Sequence, residues 1–74
     1  MVYETVKGKE AVECASSLVN IGNLHENNIK FNEALQYYNK ALSIFERVEG
    51  KESLYYAKTL SNVGNLYYGQ GKLN

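Results

Sequence analysis

The chain has 74 residues, eight Lys plus Arg against eight Asp plus Glu, one Cys, one His and neither Pro nor Trp, so it holds at most one small domain and carries no net charge. Scattered bases in such a balance lack the electrostatic footprint of a nucleic-acid binder, one Cys and one His supply neither a disulfide nor a structural zinc site, and no run approaches the roughly 20 apolar residues of a membrane span. A soluble, cytoplasmic protein is expected, with no cofactor, no metal and neither nucleic acid nor membrane as partner.

All eight acids are Glu and seven of the eight bases are Lys, a composition that favours helix. A first helix is predicted over about 10–27, with Ala15, Leu18, Ile21, Gly22 and His25 on one stripe. Asn27 and Asn28, followed by Ile29 and Lys30, make a turn. The clearest periodicity comes next: Phe31, Ala34, Leu35, Tyr38, Ala41, Leu42, Phe45 and Val48 recur at helical spacing, which predicts a helix over 30–49. Gly50 ends it, and Ser53 is placed to N-cap a third helix over about 52–68, stopped by Gly69, Gln70 and Gly71. The fold class expected is all-α: three main helices, adjacent ones antiparallel.

The chain also repeats itself. Sliding it by 42 positions superposes residues 1–32 on 43–74 without a gap, and thirteen of the 32 pairs are identical. Among them are Gly8/Gly50, Lys9/Lys51, Glu10/Glu52, Ala15/Ala57, Leu18/Leu60, Asn20/Asn62, Gly22/Gly64, Asn23/Asn65 and Leu24/Leu66. Val2, Tyr3 and Val6 align with Ile44, Phe45 and Val48, so residues 1–7 read as the tail of a preceding helix. Residues 10–49 are then one full hairpin, and 52–74 the first helix and turn of the next.

Leu18, Ile21, Gly22, His25, Phe31, Ala34, Tyr38 and Ala41 fall in register with the small and aromatic positions of one hairpin, and Leu60, Val63, Gly64, Tyr67, Gly71 and Leu73 repeat them. In this register the chain resembles a tetratricopeptide repeat protein, a helical α-solenoid in which small residues let helices approach while larger ones fill the space beside them. It departs from the family at Leu18, where Trp or another large residue is usual, at Ile29 for Gly and at Glu46 for Pro. Its long repeat, with the run Asn62-Val63-Gly64-Asn65-Leu66-Tyr67, is similar to those of kinesin light chain and the Leu-Gly-Asn-repeat adaptor proteins.

The resemblance implies a non-catalytic interaction module whose first helices line a concave, peptide-binding face. On the predicted first helix Ser16, Asn20, Asn23 and Asn27 fall within about 60° of one another, with Val19 and Glu26 beside them. Lys58, Ser61, Asn62, Asn65 and Tyr68 are offered by the next copy. Asn has both a donor and an acceptor and so suits the backbone amides of an extended peptide, which makes Asn20, Asn23, Asn27, Lys58, Asn62, Asn65 and Tyr68 the candidate peptide-binding residues. Some members of the family grip a C-terminal carboxylate with a Lys and two Asn; Asn23 and Asn62 match the Asn pair, but Val19 stands where the Lys belongs.

No enzyme is expected. Cys14 and His25 share a helix face but lie about 16 Å apart along the axis, beyond proton transfer. The run Gly69-Gln70-Gly71-Lys72 follows a helix and has Leu73 where a phosphate loop needs Ser or Thr, so it reads as a helix-ending turn. The alternative function is a self-assembling structural unit: the third helix presents Leu60, Val63, Gly64, Tyr67 and Leu73 without cover, and a homo-oligomer contact is expected at Leu60, Tyr67 and Leu73.

Overall fold

The computed structural model describes the backbone of residues 2–69 and the side chains of residues 8–69. They form three helices, α1 Val2–Asn27, α2 Phe31–Glu49 and α3 Leu54–Gly69, with no strand among the described residues. The all-α expectation holds, and α2 and α3 keep their predicted limits to within two residues. By contrast, α1 begins at Val2, well before the start that periodicity predicts, because Gly8, Lys9 and Glu10 continue the helix instead of interrupting it. Gly8 lies against α2, where an added Cβ would meet Val48 Cγ1 at an ordinary 3.5 Å.

Two turns set the helix order. Between α1 and α2 the chain reverses over Asn28, Ile29 and Lys30, and the Lys30 and Ile29 N–H groups donate to the His25 and Glu26 carbonyls at 2.8 and 3.0 Å. Ile29 takes φ +64°, an unfavourable place for a β-branched side chain, and stays 74% exposed. After α2 the chain turns at Gly50, φ +86° and ψ 172°, a region essentially reserved for Gly. The Gly50 N–H closes the helix on the Glu46 carbonyl at 2.9 Å. Ser53 then caps α3: its hydroxyl oxygen accepts from the Tyr55 and Tyr56 N–H groups at 3.1 and 3.3 Å, and its proton goes to Glu49 at 2.6 Å.

The core lies along α2, whose buried Ala34, Tyr38, Ala41 and Phe45 follow the predicted stripe. Ala15 joins Ala41 and Phe45, with Val12, Leu18, Val19, Ile44 and Tyr56 around them. Leu66 joins Ala34 and Tyr38, with Val19, Phe31, Leu35, Val63 and Tyr67 around them. These pairings run in opposite order along each neighbouring helix, so α1, α2 and α3 are successively antiparallel. The stripe expected on α3 needs correction. Thr59 and Leu66 are its buried residues, Val63 and Tyr67 are half-buried against the Leu66 cluster, and only Leu60 and Gly64 face outward as expected. The reason is that α1 and α3 share one buried stripe of α2, and α3 meets it with Val63, Leu66 and Tyr67, a face turned from the one that α1 gives to α2. Leu73 and Gly71 lie outside the described residues.

Candidate functional site

A Gly-to-Tyr contact joins α1 to α2 and fixes which polar residues of α1 remain free. The Tyr38 ring lies directly over Gly22, where an added Cβ would stand 2.6 Å from Cε1 and 2.8 Å from Cδ1. Its hydroxyl is 2.6 Å from both Asn23 Oδ1 and Glu26 Oε1, and its one proton serves these two acceptors. Burial, then the hydrogen bond to Glu26 and that carboxylate's charge, hold the phenol above its usual range. Asn23, a candidate for peptide contact, is thus engaged within the fold.

Beyond this contact α1, α2 and α3 enclose a groove of about 440 Å³. Ser16, Val19 and Asn20 come from α1, Phe45 from α2, and Tyr55, Lys58, Thr59, Ser61 and Asn62 from α3. Part of its wall is aromatic, with the Phe45 and Tyr55 rings stacked at 5.4 Å between centroids and 17° between planes. The rim is polar, and Lys58 is the one charged residue among those lining it. Of the sequence candidates the groove brings together Asn20, Lys58 and Asn62. Asn27, Asn65 and Tyr68 are exposed but do not line it.

Phe45, Tyr55 and Thr59 escaped the sequence reading. Phe45 belongs to an unbroken core stripe and nothing in periodicity shows that its end underlies a groove. Thr59 has a clearer signal, since its hydroxyl donates to the Tyr55 carbonyl at 2.8 Å, the usual way a buried helical Thr satisfies itself. Cys14 is exposed, whereas His25 is half-buried and stacks on Tyr37 at 5.2 Å, a packing role for the imidazole. No helix among the described residues is long and apolar enough to cross a membrane.

An antiparallel helical hairpin with a small residue under an aromatic ring, followed by a third helix repeating the first, is the arrangement the 42-residue repeat foretells. The family model for the tetratricopeptide repeat matches residues 10–74, most of the chain. The chain belongs to the tetratricopeptide repeat family. No curated protein and no solved structure gives a match. Tetratricopeptide repeats are protein-interaction modules, so membership of the family points to protein partners.

Proposed function

We propose that this tetratricopeptide repeat chain, of the long-repeat type, binds an extended peptide of a partner protein in the groove between α1 and α3, without catalysis. The observation that supports this reading is the convergence of Asn20, Lys58 and Asn62 on one groove with the stacked Phe45 and Tyr55. Amide side chains lining the groove pair with peptide N–H and C=O groups whatever the sequence, while the aromatic pair takes one apolar side chain. Lys58 adds a cation without making the site strongly charged.

Peptides selected from a random display library against the chain supply the test. Replacing Asn20 and Asn62 together by Ala should weaken their binding by about 2 kcal/mol, one hydrogen bond from each, with the melting curve unchanged. Added salt should change affinity little. Selected peptides indifferent to the double variant, or an affinity loss that tracks lost stability, would overturn the reading.

A further inference from the structure

We infer that Asn23, Glu26 and the Tyr38 hydroxyl form a subsite for a cationic side chain, Lys or Arg, of the peptide that the groove takes. For the peptide itself this rests on the groove reading; for the cation it rests on a shortage of hydrogen-bond donors. Three oxygens meet at this point: Tyr38 Oη lies 2.6 Å from Asn23 Oδ1 and 2.6 Å from Glu26 Oε1. Between them they share one proton, that of the phenol, because carboxylate and carboxamide oxygens only accept. Tyr38 is fully buried and its ring is fixed over Gly22, so the hydroxyl stays between the two acceptors. Burial and the Glu26 carboxylate also keep the phenol protonated, which leaves the cluster with one negative charge.

Nothing among the described residues makes up the shortage. The one ion pair they form joins Lys51 to Glu46, so Glu26 has no cation there, and the imidazole of its chain neighbour His25 is stacked on Tyr37. A half-buried carboxylate that shares a single donor with another acceptor is costly to keep. An ammonium or guanidinium supplies donors and positive charge together. The cluster is also within reach of the groove. Asn23 is exposed and lies one turn beyond Asn20 on the same strip of α1, and Glu26 stands about 9 Å from Asn20 along the axis, the span of about three residues of extended peptide. Lys58, the one charged residue lining the groove, has the opposite sign and repels a base placed beside it. The two charges therefore give the peptide a direction, with its base toward the C-terminal end of α1.

Two selections from the random display library, one against the chain and one against Glu26→Gln, supply the test, with melting curves for both. Peptides from the first are expected to share an apolar residue and, at a fixed spacing from it, a Lys or Arg; those from the second keep the apolar residue and lose the base. Replacing that base by neutral norleucine or citrulline should weaken binding to the chain about tenfold or more, the range of a hydrogen bond to a charged group, and should not matter to Glu26→Gln. Exchanging the charges, Glu26→Lys against a peptide with Glu in place of the base, should restore affinity, which a merely structural Glu26 would not do. Selected peptides with no fixed base, or a base whose replacement costs as much on Glu26→Gln as on the chain, would overturn the inference and leave the groove reading in place. Peptides sensitive to Glu26→Gln but indifferent to Asn20→Ala with Asn62→Ala would overturn the groove reading and support the cation subsite.

Discussion

Residues 8–27 and 50–69 carry one repeated sequence and yet behave differently at the start and in the body of the repeat. At the start, Gly8, Lys9 and Glu10 lie within α1, while the identical Gly50, Lys51 and Glu52 form the turn before α3. The residue that follows is Ala11 in the first case and Ser53 in the second. Ala is the best helix former and has no acceptor, so the helix runs through; the Ser53 hydroxyl accepts two backbone N–H groups and makes a fresh start favourable. In the body of the repeat, Leu24 is 60% exposed whereas Leu66 is fully buried, and Gly22 lies beneath a ring whereas no described residue lies over Gly64. Equal residues thus acquire unequal energies from their neighbours alone.

The largest effect should separate the two leucines. Leu66→Ala removes a buried side chain from the Ala34 and Tyr38 cluster and should cost about 2–5 kcal/mol in denaturant unfolding, while Leu24→Ala should stay within about 0.5 kcal/mol. Equal losses would break the comparison. The glycines come next: Gly22→Leu must displace the Tyr38 ring and should cost about 1–3 kcal/mol or more, whereas Gly64→Leu should leave the melting curve in place.

Alkaline titration sharpens the same contrast, because the notch at Gly22 holds a phenol. The folded Tyr38 hydroxyl ionises above its usual range, so the stability it confers is complete below about pH 10, where the unfolded phenol titrates, and is lost as pH rises past that value. The slope from one group is at most about 1.4 kcal/mol per pH unit, and Tyr38→Phe should remove that share of it. A slope unchanged in Tyr38→Phe would contradict the assignment.

Smaller effects belong to the turns. Ser53→Ala should cost about 1 kcal/mol of thermal stability through the lost cap, whereas Ala11→Ser, which alters an ordinary helical position, should change it by about half as much. Ile29→Gly should stabilise by about 0.5–1 kcal/mol, since Gly accepts φ +64° freely and the Ile side chain buries little there. A loss instead of a gain would show that the side chain is needed in the turn.

Much of the fold was legible in the amino acids themselves. The Phe31 to Val48 stripe, Gly50 and Ser53 encode α2, its end and the start of α3, because periodicity and capping are local properties of a helix. Identity across 42 positions equally marks the repeat, and the small residue at Gly22 marks a close approach. The sequence could not say that Tyr38 would occupy that approach and engage Asn23, that Leu66 would be covered while Leu24 was not, or that Phe45 and Tyr55 would line one groove with Asn20, Lys58 and Asn62. Each of these depends on which helix lies across from which. A stripe fixes the direction a side chain takes from its own helix axis; only packing among α1, α2 and α3 decides whether it meets another side chain or water.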